Sequence, residues 1–575
     1  MQATSNSLKA QALFTLGAQL HANRQLDGQQ ALAAFEQAHQ LAPDNADILN
    51  ALGAVLSRMG RDDEAIARFE QALDKKPQHA DALDNLAGLL HRTRRYTQAA
   101  AHGERWLAQT RHPEKDAPYM LGRLAYTRRL MADWTNDNQR QKQLRRALRT
   151  RDRTVLPFEY LGFSDDPAEH LNCARQLVQD RHPPSAPLWT HERWQNPRIR
   201  VAYLSNDFCN HATAVLLARV LELHDKSRFE IFALSWSPLQ DSMQQRIRAG
   251  VEHFVDISAQ SDVQVAQWMA GQQIDIAVDI KGFAHNYRLG ILAHRPCPIQ
   301  VNYLGYPGSL GAPYIDYLIA DPHVIAPADR QHYSEHLARL PHSYQANDPL
   351  RSVAPDCPDR AQLGLPEKGT DTHGFVFACF NNSYKITPDV FGQWMTILKA
   401  TPGSVLWLLE ANDQAPDRLR QKAAEQGIDP TRLVFAPRVP TPEHLARHVH
   451  ADLFLDTFPV NAHTTAADVL WAGVPIITCT GSTWPGRVAA SLLTAIGLEE
   501  LICTMAADYE ALAVALARSP DRLNAVTQKL AANRLTTPLF DTARFARHME
   551  AAYAEMMARY LSGEAPAHFA VPLSE

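Results

Sequence analysis

Four short stretches of this chain combine residue types that handle anions and hydroxyl groups. Ser205-Asn-Asp-Phe-Cys-Asn-His211 ends on an imidazole, the side chain whose ordinary pKa lets it take or give a proton near neutrality. Asn381-Asn-Ser-Tyr-Lys385 ends on an ammonium, which would oppose the charge developing on a departing phosphate. In Asp456-Thr-Phe-Pro-Val-Asn-Ala-His463-Thr464-Thr465, two hydroxyls open a helix expected over Ala466–Gly473. The free N–H groups and positive dipole end of such a helix suit a pyrophosphate. Asp468 lies one turn inside it, within reach of a sugar hydroxyl. The fourth stretch, Ala436-Pro-Arg-Val-Pro-Thr-Pro-Glu-His444, carries a second imidazole. Together these residues suit the binding of a nucleoside diphosphate and the transfer of a group from it.

Each feature has a plainer reading. A histidine after a strand is commonly a satisfied turn residue, Thr464-Thr465 can simply cap a helix, and a lone lysine is usually solvated. What favours the functional reading is coincidence: all of them follow expected strands. Other chemistries fit less well. Gly305-Tyr-Pro-Gly308-Ser-Leu-Gly311 lacks the G-x-G-x-x-G spacing of a dinucleotide loop, and no Walker loop occurs. His444, His448 and His450 are close in sequence, but H-E-x-x-H is missing, and no Asp-x-Asp pair occurs anywhere. No metal and no resident cofactor is therefore expected; side chains and a helix end must stabilise a diphosphate.

The elements that must position these loops are legible as short apolar, β-branched runs. One series is Ile199–Leu204, Phe229–Leu234, Ile274–Ile280, Ile299–Leu304 and Tyr314–Ala320; a second is Phe375–Phe380, Val405–Leu409, Leu433–Ala436, Leu453–Leu455 and Ile476–Thr478. Such runs alternating with helical stretches read as parallel βαβ units. Two in tandem give two Rossmann-like lobes and a cleft, with ligands outside the carboxyl ends of the strands.

Ahead of them, Ala31, Phe35, Ala38 and Pro43 recur as Ala65, Phe69, Ala72 and Pro77, a period of 77 − 43 = 34 residues. That is the tetratricopeptide period. The first copy carries about two extra residues near Leu26-Asp-Gly28, a third copy (Leu86-Ala87, Ala99-Ala100) is degenerate, and Leu121-Gly122 begins a fragment of a fourth. The organisation read from sequence is a helical repeat arm at 1–125, a helical connector and linker at 126–196, an N-terminal lobe at 197–370 and a C-terminal lobe with a closing helix at 371–575. The arm reads either as a partner-binding surface or as a structural extension.

Composition adds exclusions. A formal net charge of −5 gives no general attraction to nucleic acid or anionic membrane. The one basic run, Arg140 to Arg153, reads as a solvated helix face. Seven cysteines without a C-x-x-C pair suit a reducing compartment, and neither a signal pattern nor an apolar span of about 18 residues is present. A cytoplasmic location is expected.

With those loops quoted, the chain resembles the protein O-GlcNAc transferases, which join tetratricopeptide repeats to a two-lobed GT-B-type catalytic unit. The matching segments run from Arg198 to about Leu561 and include Ser205–Thr213, His253–Ser258, Leu304–Gly308, Tyr384-Lys385, Asn461–Thr465, Asp468–Pro475 and Arg487–Ser491. The resemblance implies UDP-GlcNAc as donor, a Ser or Thr hydroxyl as acceptor, and inversion at the anomeric carbon. It places His211 and His253 beside the sugar and acceptor, with Lys385 on the departing diphosphate. His463, Thr464 and Thr465 would bind its oxygens, Asp468 the ribose, and Val439 and His444 the uracil. Asn382 would lie by the donor, and Gly305 would allow close approach to the GlcNAc. The general base stays open between His211, a water chain and a donor phosphate oxygen. Acceptor proteins would lie along the repeat arm and the cleft between the lobes. Animal members have a long insertion between the lobes, more repeats, and a Gln where this chain has Asn382; here a short stretch around Asp348–Thr372 joins the lobes. A related transferase using GDP-fucose, one acting on Asn, and an inactive repeat-based scaffold are the alternatives.

Overall fold

The 34-residue period folds into helix pairs: Gln2–Ala22 with Gly28–Leu41, Ala46–Arg58 with Asp62–Lys75, and Ala80–Arg92 with Tyr96–Leu107. This is a computed structural model of the chain, and it describes residues 2–22, 28–110, 118–369 and 371–573; the extra residues at Leu26-Asp27 lie outside the described residues. The first two pairs close through a missing side chain. A Cβ on Gly17 would come within 2.8 Å of the Phe35 ring, and one on Gly53 within 2.6 Å of Phe69. The small residue of the repeat thus makes room for the aromatic one, and Ala31, Phe35, Ala65 and Phe69 are all at most 1% exposed. Asn45 caps the third helix by accepting from the Asp47 and Ile48 amides. The degenerate third copy still forms a complete pair, and the fragment at Leu121-Gly122 opens helix Met120–Leu130, followed by Asp137–Thr150. On the latter, Leu144 and Leu148 are buried while Arg146 and Arg149 are exposed, a solvated basic face.

The chain divides into two compact units, Met1–Glu159 and Tyr160–Glu575. The connector expected over 126–196 is therefore split: helix Asp137–Thr150 stays with the repeats, and helix Pro167–Arg181 goes with the second unit.

The second unit holds two parallel sheets. The first contains β1 (Ile199–Ser205), β2 (Phe229–Ser235), β3 (His253–Asp256), β4 (Ile276–Asp279), β5 (Ile299–Asn302), β6 (Tyr317–Ala320) and β7 (His336–Arg339). The second contains β8 (Val376–Cys379), β9 (Val405–Leu409), β10 (Leu433–Ala436), β11 (Leu453–Leu455), β12 (Ile476–Cys479) and β13 (Ile502–Cys503). A final strand, β14 (Phe569–Ala570), joins the first sheet beside β7. The orders are β14-β7-β6-β5-β4-β1-β2-β3 and β10-β9-β8-β11-β12-β13. Most central strands are buried on both faces, which is why they read as unbroken apolar runs.

The closing segment of the chain belongs with the other lobe. Helix Thr542–Ser562 packs on the first sheet's helix Ala212–Leu223. Its Tyr553 hydroxyl lies 3.0 Å from that of Tyr203, and its Glu550 accepts from the Asp225 amide at 2.7 Å. The 371–575 span thus contributes its last helix and strand to the N-terminal lobe. No described helix is long and apolar enough to cross a membrane.

Candidate functional site

Strand order reverses between β1 and β4 in the first sheet and between β8 and β11 in the second. Ligands of open parallel sheets bind outside the carboxyl ends at such a point. The loops there are 206–211 after β1, Lys281-Gly282 after β4, 380–385 after β8, and 456–463 after β11. Three of these four are the stretches singled out from sequence. The carboxyl edges of the two sheets also meet each other. Ser491 donates to Asp321 at 2.7 Å, Arg487 pairs with Asp329 at 2.6 Å, and the Trp484 and Tyr344 rings pack edge to face with centroids 4.8 Å apart. Helix Ala212–Leu223, which His211 caps, packs against helix Thr464–Trp471, which His463 precedes. Helices from both lobes that begin at candidate residues thus pack against each other.

On the second lobe, Lys385 is drawn into the switch point by the Asn461 carbonyl, to which its Nζ donates at 2.7 Å. Burial lowers its pKa to about 8 against the opposing pull of Asp456. The loop that supplies Asn461 is organised by Asp456, which is fully buried. Asp456 accepts from the Ala462 amide (2.6 Å), the Thr457 amide (2.8 Å), the Thr478 hydroxyl (2.7 Å) and Asn381 (3.3 Å). Burial raises this carboxyl to about 6, with Lys385 among the groups holding it down.

The helix begins at Thr464, so Thr464 and Thr465 supply first-turn N–H groups and two half-buried hydroxyls. His463 donates from Nε2 to the Pro485 carbonyl at 3.3 Å, and burial followed by Lys385 lowers its pKa to about 3. Its ring is therefore uncharged at neutrality, as is that of His444, lowered to about 2 by burial, His448 and Arg447. His444 accepts at Nδ1 from Arg447 (2.7 Å) and stands edge-on to Phe380, centroids 5.2 Å apart. Half-buried Val439 lies on the loop between β10 and this helix, and Asn382 immediately precedes the turn that carries Lys385. His448 donates to the His444 carbonyl at 2.6 Å and His450 bonds the Pro358 carbonyl at 2.8 Å, so these rings serve packing.

Asp468 is ion-paired with Arg351, whose side chain is 4% exposed. Arg351 comes from the stretch joining the lobes and carries no signal in the sequence. Its Nε donates to the Asp348 carbonyl at 3.2 Å, and the Asp348 carboxylate pairs with Arg246 of the first lobe at 2.6 Å.

On the first lobe His211 is the N-cap of its helix, accepting from the Thr213 amide at 3.2 Å. Burial, the leading cause, lowers its pKa, although half of the side chain stays exposed. His253 opens β3 opposite Phe232, in the middle of β2, and bonds Glu230 at 2.9 Å near the amino end of that strand. It stacks on Phe232 with centroids 4.2 Å apart. A motif next to a strand does not reveal which end of the strand it occupies. Gly305 has a packing role of its own: a Cβ there would overlap the Ile280 carbonyl, so the absent side chain lets two backbone segments meet. Gly305→Ala should lower stability by about 1–3 kcal/mol, the scale of forced overpacking. A thermal melt that does not move would show that the loop yields freely.

Two parallel sheets of matching strand order, facing each other across loops at their switch points, define a GT-B-type fold. The model named Glycosyl transferase family 41 matches residues 168–355 and 354–549, and a Tetratricopeptide repeat model matches 9–78. The chain belongs to glycosyl transferase family 41. It is 38% identical over 73% of its length to the Arabidopsis thaliana protein named "Probable UDP-N-acetylglucosamine–peptide N-acetylglucosaminyltransferase SEC", covering 44% of that protein. The Caenorhabditis elegans UDP-N-acetylglucosamine–peptide N-acetylglucosaminyltransferase is 28% identical over 69% of this chain and 44% of its own. The chain thus spans less than half the length of these curated relatives. Among solved structures, a mutant of the Thermobaculum terrenum O-GlcNAc transferase superposes with a TM-score of 0.68 at 25% identity, over 97% of this chain and 99% of that one.

Proposed function

We propose that this protein transfers GlcNAc from UDP-GlcNAc to Ser or Thr hydroxyls of intracellular proteins, with inversion and without a metal ion. The observation that carries the reading is the pairing of Lys385 with the opening of helix Thr464–Trp471 at one switch point, with His211 at the other. The printed names of the relatives supply the donor and the protein acceptor.

In this mechanism the acceptor oxygen attacks the anomeric carbon from the face opposite UDP, and the bond to the diphosphate oxygen breaks. Lys385 and the Thr464 and Thr465 amides and hydroxyls take up the charge left on UDP, an arrangement stronger in the transition state than in the ground state. Asp468, oriented by Arg351, would hold the ribose, and Val439 with the uncharged His444 ring would frame the uracil. The acceptor proton passes to a water chain, to a donor phosphate oxygen, or to Nδ1 of the uncharged His211 once that nitrogen releases the Thr213 amide. The repeat arm is the proposed protein-binding element, and the reducing cell interior the proposed location.

Incubation of Ser/Thr-rich peptides with the protein and UDP-GlcNAc in EDTA, read by mass spectrometry, should add one N-acetylhexosamine to Ser or Thr. Transfer from GDP-fucose instead, or addition to Asn, would replace this reading with a related one. Absence of both transfer and UDP binding would leave a scaffold.

A further inference from the structure

Lys281 is a buried lysine that no local signal in the chain marks out. It leaves the carboxyl end of β4, its side chain is 4% exposed, and its Nζ donates to both oxygens of Asp207 at 2.7 and 2.8 Å. Asp207 is itself buried, in the loop after β1, so this ion pair fills the switch point of the first sheet. The surrounding backbone is pinned: Asp279 accepts from the Lys281 and Gly282 amides at 2.9 and 3.1 Å, and Ser205 accepts from the Asp207 amide at 2.9 Å.

Burying two ions costs several kcal/mol each and is weak support for stability. The placement points to a task. The Asp207 carboxylate reaches to 3.4 Å from Nδ1 of His211, while the same nitrogen accepts from the Thr213 amide at 3.2 Å. An acceptor nitrogen carries no proton, so the ring bears its single proton on Nε2. A free carboxylate at that distance would favour protonation of Nδ1 and turn the ring away from Thr213. Lys281 removes that pull by neutralising Asp207.

We infer that Lys281 is a positioning residue that, through Asp207, keeps His211 uncharged and seated as the cap of its helix. The inference deepens the proposed function and rests on it only for the role of His211. Burial is the leading influence on the ring, with Asp207 and Lys281 acting in opposite senses. The neighbouring Asp241 is engaged by the Asn210 and Gln244 amides at 2.7 and 3.0 Å, and the Cys209 thiol is pushed up by burial.

The test is titration of the His211 ring by NMR on 13C-histidine-labelled full-length protein, assigned with His211→Gln. It is run on the wild type, Lys281→Met, Asp207→Asn and the double variant, alongside the pH profile of kcat/KM for sugar transfer. Lys281→Met should raise the His211 midpoint and move the acid limb of the profile upward. Asp207→Asn should move both downward, and the double variant should return close to the wild type. A midpoint unmoved by Lys281→Met, or single variants shifting in the same direction, would overturn the inference. If Asp207→Asn fails to fold with its lysine unpaired, the double variant, which keeps neither charge, still provides the comparison with Lys281→Met. Should the wild type transfer no sugar while the midpoints move as stated, the proposed function fails and the inference stands. Transfer with unmoved midpoints would leave the function standing and overturn the inference.

Discussion

Lys385→Ala should lower kcat for sugar transfer by about a thousandfold, the scale on which preorganised charge stabilises a developing anion. The fold should survive. In the folded protein burial depresses the ammonium to about 8, below its ordinary 10.5. A group with a depressed basic pKa contributes destabilisation wherever it is charged, that is, below about pH 8, and the destabilisation fades as pH rises from there. Removing it at neutral pH therefore removes a burial cost while leaving the Asn461 carbonyl without its donor. The two changes oppose each other, and the melting temperature should stay close to that of the wild type. Because Lys385 acts on the leaving group, the loss should fall on kcat and kcat/KM together, with UDP-GlcNAc binding reduced far less. Near-normal turnover in a folded variant would remove Lys385 from the mechanism.

The sequence makes the scaffold unusually plain, and the reason lies in its strands. Val405–Leu409 and Leu453–Leu455 occur where expected, because a strand covered on both faces has to be apolar throughout. β3, β7, β13 and β14 escape that pattern. β13 and β14 are two residues long, and β3 and β7 begin with a half-buried histidine. The donor-side loops are legible because a helix opening, two hydroxyls and an ammonium are local signals. What cannot be read is long-range pairing. Lys281 meets Asp207 across 74 residues and Arg351 meets Asp468 across 117, and nothing local distinguishes these cations from solvated ones. The register of His253 has the same origin. Its motif is contiguous, but the register against β2 puts it away from the carboxyl edge. Asp456 stands in view at the head of its loop, yet its work as an acceptor depends on Thr478 and Asn381, which only the fold delivers.

Asp456 also allows scaffold and electrostatics to be separated by two substitutions. Asp456→Ala would leave the Thr457 and Ala462 amides and the Thr478 hydroxyl without their acceptor inside the lobe. Unpaired buried groups of this kind cost about 1–3 kcal/mol each, so this variant should melt far below the wild type and lose UDP binding. Asp456→Asn keeps one oxygen for both amides, and the Thr478 hydroxyl can turn to accept from the new NH2 group. It should fold. The native carboxyl has a folded pKa of about 6, above its ordinary 3.8. The folded state therefore binds more protons than the unfolded state between those values, and this group makes stability fall as pH rises from about 4 to 6. Asp456→Asn should abolish that slope. It should also withdraw the negative charge that favours protonated Lys385, lowering the ammonium further from about 8. A bound diphosphate raises the same pKa, so UDP affinity in the wild type should be full below pH 8 and weaken above it; in Asp456→Asn the weakening should begin at lower pH. Calorimetric Kd values for UDP between about pH 6.5 and 10 distinguish the outcomes, since the window brackets the Lys385 pKa. Identical curves for the two proteins would mean that Asp456 serves the loop alone and that Lys385 owes its charge to the ligand.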